Sequence, residues 1–225
     1  MNNNIITIDG PSGVGKGTLA KRIGATLGYA NLDTGSLYRS ITLHLFESGT
    51  DFAVTSDEDT VAAARKIIDN REILEIAKRP EIRGDAISTM TARVASMHKL
   101  RGVLKEFQQD FGLNPPGGKG AVIEGRDIGT EIFPNAPVKI YLDASLEVKA
   151  RRRFDEYRSQ GKSISYDEVF AHMKARDESD ASRAHGNGRM ERPADAVLID
   201  TSDMTRDEVF DRAMSVINQK LPIGA

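Results

Sequence analysis

The stretch Gly10-Pro11-Ser12-Gly13-Val14-Gly15-Lys16-Gly17-Thr18 follows directly on the apolar run Ile5-Ile6-Thr7-Ile8-Asp9 and precedes Leu19, Ile23 and Leu27 at helical spacing. Strand, glycine-rich loop and amphipathic helix therefore stand in that order. Glycines at 10, 13, 15 and 17 leave out the Cβ atoms that would hold a polyanion away from backbone N–H groups, and Lys16 adds a positive charge. The helix behind the loop turns its positive N-terminal end toward the same point. A glycine-rich turn with a surface lysine is the competing reading, but the order of elements implies a site for a nucleoside triphosphate.

The commoner loop continues Gly-Lys-Ser/Thr, whereas here Gly17 holds the hydroxyl position and Thr18 follows it. This spacing resembles that of nucleoside monophosphate kinases rather than motors or GTPases. Thr18 becomes the candidate Mg²⁺ contact, made directly or through water.

A chain of 225 residues is long enough for one substantial core, with or without insertions. Net charge is −2 and the pI about 6.1, so no global basic field points to nucleic acid, and small molecules are the expected partners. With no cysteine, disulfides and thiolate metal sites are excluded, and His44, His98, His172 and His185 lack ligand spacing. Met1-Asn2-Asn3-Asn4 has no basic region like that of a signal peptide, and no apolar run approaches the roughly 18 residues that span a bilayer. A soluble, cytoplasmic monomer without a membrane partner is expected.

Apolar runs suited to buried parallel strands fall at 4–9, 120–124, 138–142 and 196–200, with a weaker one at 29–33. Helical patterns lie between them, including Leu37, Ile41, Leu45 and Val209, Phe210, Ala213, Met214, Ile217. Ser165-x-x-Glu168 and Thr205-x-x-Glu208 read as capping boxes. The alternation predicts an α/β domain with a five-stranded parallel sheet covered by helices on both faces. Each charged motif follows a strand: the glycine-rich loop, Asp33-Thr34-Gly35, Glu124-Gly125-Arg126-Asp127, Asp143 and Asp200-Thr201-Ser202. In doubly wound sheets that edge binds the ligand. Residues 49–96 are polar and helix-like, with a cap at Ser56-x-x-Asp59 and a break at Lys78-Arg79-Pro80, and read as an insertion reaching over a second substrate. Residues 112–120 read as a loop.

Phosphoryl transfer needs cations that gather the charge of two substrates. Arg39, Arg126 and the run Arg151-Arg152-Arg153 are candidates, Arg151 being the one most like a plain surface residue. Arg176, Asp177, Asp180 and Arg183 fall at helical spacing, open to a ligand-binding or a simple salt-bridge reading. Arg126-Asp127 lies between Gly125 and Gly129, where a turn can present both side chains.

Gly10 to Thr18, Asp33 to Arg39, Glu124 to Thr130, Ala136 to Ser145, and Arg176-Asp177 with Arg183 together resemble the bacterial cytidylate kinases over nearly the whole chain. The resemblance implies a P-loop kinase that uses ATP and Mg²⁺ to phosphorylate CMP and dCMP. It implies that residues 10–18 hold ATP phosphates, that Arg39, Arg126 and Arg183 grip the CMP phosphate, and that Arg101 and Asp127 read the cytosine. Thr34 joins this substrate set, and Asp180, supported by Arg176, addresses the pentose. Lys16, Arg126, Arg152 and Arg153 act on the transferred group, residues 157–167 form a short lid, and 49–96 form a shortened monophosphate-binding insertion. Residues 71–86 are too short and polar for the family's small antiparallel sheet. Ala92 stands where the family has a serine, so either Thr91 replaces it or one base contact is missing. The basic tail 185–192 has no assigned role. The rivals are a kinase for AMP, UMP or dTMP and a noncatalytic ATP-binding switch, and the preference between CMP and dCMP stays open.

Overall fold

A computed structural model describes residues 4–52, 54–183 and 189–221. Residues 1–3 and, from the basic tail 185–192, His185 to Gly188 lie outside the described residues. Along the described chain run β1 (Ile5–Asp9), α1 (Lys16–Leu27), β2 (Ala30–Asp33), α2 (Thr34–Glu47), α3 (Asp57–Asp69), α4 (Ile73–Ile76), α5 (Asp85–Val94) and α6 (His98–Leu113). There follow β3 (Ala121–Gly125), β4 (Val138–Asp143), α7 (Leu146–Ser159), α8 (Tyr166–Ser182), β5 (Val197–Asp200) and α9 (Arg206–Lys220).

The strands form one five-stranded sheet in the order β2-β3-β1-β4-β5, all parallel, with helices around it. β1 is central: Ile6 lies opposite Val122 of β3 and Val138 of β4. Every residue of β1 is buried, which is why its sequence is a continuous β-branched run closed by one aspartate rather than an alternating pattern. All strands found in the sequence form, with ends shifted by about one residue.

Contacts divide the chain into two units, residues 1–32 with 112–225, and residues 33–111. In the first, α1 and α9 lay Leu19, Ala20, Ile23, Ala213 and Ile217 on Ile6, Ile8, Val122, Ile140 and Leu142. A smaller cluster of Ala150, Val169 and Met173 joins α7 to α8. In the second unit, Leu43 of α2 packs against Ile82 and Ile87. Ser56 caps α3 by accepting from the Asp59 N–H, and Pro80 opens a single 3₁₀ turn, so residues 71–86 carry helical turns and no strand.

Both capping boxes form: Ser165 and Thr205 accept from the N–H groups of Glu168 and Glu208, whose carboxylates accept in return. Those bonds hold both glutamates below the usual carboxylate range. The stability they add is therefore present above that range and lost as pH falls through the lowered values.

The loop expected at 112–120 starts later, because α6 continues through Gly112 and Leu113. Gly112 is there for packing: a Cβ on it would lie 2.4 Å from Cζ of Phe133 and 3.1 Å from Cδ1 of Ile123. Gly102, inside the same helix, has nothing within 4 Å of its added Cβ. The two sites should answer alanine in opposite directions. Gly112→Ala is expected to destabilise by about 1–3 kcal/mol through overpacking. Gly102→Ala should stabilise by about 0.5–1 kcal/mol through helix propensity. Thermal midpoints on the two variants check the signs, at about 2–4 °C per kcal/mol for a chain of this size.

Candidate active site

The chain leaves β1 at Gly10 with φ 142°, and a Cβ there would lie 2.1 Å from the carbonyl oxygen of Leu142 in β4. Only glycine fits. Gly13 and Gly15 also take left-handed φ, and Gly15 starts α1 without a side-chain cap or an acidic residue in the first turn. The partial positive charge of that turn is thus opposed by no acidic side chain within it, which suits an anion. Lys16, the first residue of α1, is buried and donates its Nζ to the carbonyl of Pro11 at 2.7 Å, which folds it back over the loop.

Gly17 has a tertiary reason. Its added Cβ would lie 2.9 Å from Oε1 of Glu124, a buried residue of β3. The carboxylate fills the space beside the position where commoner loops carry a hydroxyl. Thr18, one residue on, is exposed. A hard cation such as Mg²⁺ takes oxygen donors, often one or two carboxylates plus substrate phosphates. The Glu124 carboxylate and Thr18 hydroxyl fit that donor set, and among the described residues no group of three or more His, Asp or Glu forms a metal cage.

Beneath the loop, Gly13 rests on Lys149 of α7: its added Cβ would be 3.4 Å from the lysine's Cβ and carbonyl oxygen. Lys149 is buried, bonds Asp177 of α8 at 2.5 Å and lies 4.0 Å from Asp143 at the end of β4. Arg152 donates to the hydroxyl and carbonyl of Thr201 at 2.9 and 2.7 Å, tying α7 to the end of β5. Burial, aided by Arg206, lowers the pKa of this guanidinium. Arg153 pairs with Glu156 at 2.8 Å. Together with Arg176, Tyr157, Val169, His172 and Met173 it lines a hollow between α7 and α8. Arg151 is exposed and lies 4.5 Å over the ring of Tyr166.

After β3, Arg126 donates Nε to Asp180 at 2.9 Å, and Arg183 approaches the other oxygen of the same carboxylate at 3.1 Å. Asp180 is buried, so one carboxylate aims two guanidinium groups. The salt-bridge reading of Asp180 and Arg183 holds, but it omits Arg126, which is distant in sequence. Asp127 is buried and starts a wide turn in which Phe133 N–H bonds the Ile128 carbonyl at 2.7 Å. Such i→i+5 turns are frequent at functional sites.

The remaining candidates belong to the second unit. Thr34 is buried at the start of α2, where Asp33 caps the helix by accepting from Ser36 N–H at 3.1 Å. Arg39 donates to the Ile82 carbonyl and the Ser88 hydroxyl at 3.3 and 3.1 Å. Arg101 donates to the Ala95 carbonyl at 3.4 Å, with its guanidinium 5.6 Å from the ring centroid of Tyr38. The Thr91 hydroxyl donates to the Ile87 carbonyl at 2.6 Å and lies 3.2 Å from that of Thr42.

Three residues beside these groups were given no role from sequence: Asp9, Glu124 and Lys149. Asp9 and Glu124 carried a signal as acidic residues at strand ends on the ligand-binding edge, whereas Lys149 carried none.

The cytidylate kinase family model matches residues 6–219. A cytidylate kinase of a Caulobacter species is 42% identical over 214 residues, covering 95% of this chain and 93% of its own. That of Paramagnetospirillum magneticum is 40% identical, covering 97% and 99%. A solved structure from Thermus thermophilus aligns over 97% of both chains at a TM-score of 0.51 and 19% identity, which bears on the fold alone. On the family match and the extent of these identities, the chain belongs to the cytidylate kinase family.

Proposed function

We propose that the chain transfers the γ-phosphoryl group of ATP to CMP and dCMP, giving ADP with CDP or dCDP, by direct in-line attack of an acceptor phosphate oxygen. The observation that carries this reading is the family match over residues 6–219. A kinase for AMP, UMP or dTMP is not favoured.

Residues 10–18 hold the ATP phosphates. Arg39, Arg126 and Arg183 hold the CMP phosphate, Arg101 and Asp127 read the base with Thr34 beside them, and Asp180 with Arg176 meets the pentose. Residues 49–96 serve as the monophosphate arm and 157–167 as a lid, and the enzyme works as a cytoplasmic monomer. Among the described residues no helix is long and apolar enough to cross a membrane.

Phosphoryl transfer is mainly positioning and charge stabilisation. Lys16 stands at the end of the loop and neutralises oxygens on the transferred group, with Arg152 and Arg153 supplying further charge. Asp180 sets Arg126 and Arg183 in place before the acceptor arrives, so less reorganisation is left for the reaction itself. No general base is needed, because a phosphate monoester is largely ionised near neutral pH. Thr18 and Glu124 would help to hold Mg²⁺ brought in with ATP, and the ion would supply further neutralisation of phosphate charge.

Lys16→Ala is expected to lower kcat by about 10²–10³-fold, the usual scale for one electrostatic donor. Coupled ADP-release assays measure this, and near-normal turnover would remove Lys16 from the mechanism. In the same assay CMP and dCMP should release ADP while AMP, UMP and dTMP do not. Release without any acceptor would indicate an ATPase, and release with AMP alone would name a different kinase. Arg183→Ala should raise KM for CMP more than it alters the affinity for ATP; an equal effect on both would place Arg183 elsewhere.

A further inference from the structure

Asp9 is the last residue of β1 and is 1% exposed. Its two carboxylate oxygens are both engaged: Oδ1 accepts from Ile128 N–H at 2.9 Å and Oδ2 from Gly129 N–H at 2.7 Å. These donors lie immediately behind Arg126-Asp127, while the residue following Asp9 is Gly10, the first of the phosphate loop. The approach is close enough to dictate a second residue type. A Cβ on Gly129 would lie 3.2 Å from Oδ2 of Asp9, 3.1 Å from Oγ1 of Thr7 and 3.0 Å from Cγ of Pro193.

We infer that Asp9 is a positioning residue for the acceptor: by clamping the N–H groups of Ile128 and Gly129 it fixes the turn that carries Arg126 and Asp127 against the start of the phosphate loop. Donor and acceptor groups are thus indexed to one carboxylate at the end of the central strand. The reading rests on Arg126 and Asp127 as acceptor-binding residues.

The clamp is asymmetric in protonation. An ionised carboxylate accepts two N–H bonds with charge assistance, whereas the protonated form presents one hydroxyl and one carbonyl oxygen. Burial pushes Asp9 up to about 6, and Asp127 in the turn adds to the rise. The Ile128 and Gly129 N–H groups and Lys16 in α1 pull the other way. Across the sheet Asp9 faces Tyr141 of β4 and the uncharged Gly125 of β3. Burial, with the charges of Asp143 and Asp9, pushes Tyr141 up to about 12, and Arg126 opposes that rise, so the phenol stays neutral throughout the range of interest. Above pH ~6 the clamp is therefore complete, and it weakens as pH falls through that value.

Asp9→Asn tests this, because the amide keeps the volume, removes a buried charge and turns an NH₂ toward one of the two N–H donors. In ¹⁵N–¹H spectra of the wild-type chain, the Ile128 and Gly129 amides should move together on titration with a shared midpoint near pH 6. In the variant they should stay flat. At pH 7.5 the variant should show KM for CMP raised at least tenfold, while the affinity for a non-hydrolysable ATP analogue, read by calorimetry, changes less than twofold. The CMP phosphate itself ionises near pH ~6. The wild-type kcat/KM profile should therefore fall with two protons on the acid side and the variant's with one. Amides that do not titrate together would overturn the clamp. Amides that titrate while KM and the acid limb match the wild type would overturn the positioning role and leave Arg126 and Asp127 as assigned. A merely structural Asp9 would lower the thermal midpoint of the variant and leave the KM ratio and the proton count unchanged.

Discussion

At Gly10 the backbone leaves the central strand so close to the neighbouring strand that an added Cβ would stand 2.1 Å from the Leu142 carbonyl oxygen. That approach depends on β1 being paired on both sides, with Ile6 and Ile8 fully buried beneath α1 and α9. The turn that follows has no freedom to drift, and it aims the N-terminus of α1 along the carboxyl edge of a parallel sheet. Arg126, Asp143 and Thr201 follow or end neighbouring strands on that same edge. Their placement is inherited from the register of β3, β4 and β5 rather than from local loop preference.

Along this edge, part of the positive charge is left unbalanced by the groups that hold it. Lys16 and Arg152 donate to carbonyls, and Arg126 and Arg183 share one aspartate. Holding several cations together in the absence of a polyanion is costly, and buried or half-buried partners reduce that cost while limiting side-chain freedom. Orientation obtained during folding does not have to be obtained again in the transition state, and this is how rigid dipoles and charges accelerate phosphoryl transfer. On this edge Asp180 acts as an organiser of positive charge.

What the sequence made legible was local. The loop from Gly10 to Thr18, the apolar strands and the caps at Ser56, Ser165 and Thr205 all involve neighbours within a few residues, so their spacing states the geometry directly. The contacts that escaped join distant segments. Asp9 meets Ile128 and Gly129 across separations of 119 and 120 residues, and Lys149 meets Asp177 across 28. Gly17 looked like a simple loss of a hydroxyl until β3 brought Glu124 beside it. Gly112 was misread for the opposite reason: a glycine ahead of Asn114-Pro115-Pro116 has the composition of a loop, while the ring of Phe133 needs a helix with no side chain at that point.

The brace of Lys149 and Asp177 lies near the start of α7 and late in α8, so it ties the hairpin at its root. Both groups are largely withdrawn from water, and parting such a pair by losing one partner typically costs about 3–5 kcal/mol. Toward the far end, Tyr157, Ile164, Tyr166 and Phe170 pack against the Ala150, Val169 and Met173 cluster, and around Gly161, with φ 73°, the Lys162 N–H bonds the Tyr157 carbonyl at 3.0 Å. Because Gly13 rests on Lys149, the floor of the phosphate loop and the root of the helix pair share one buried ion pair.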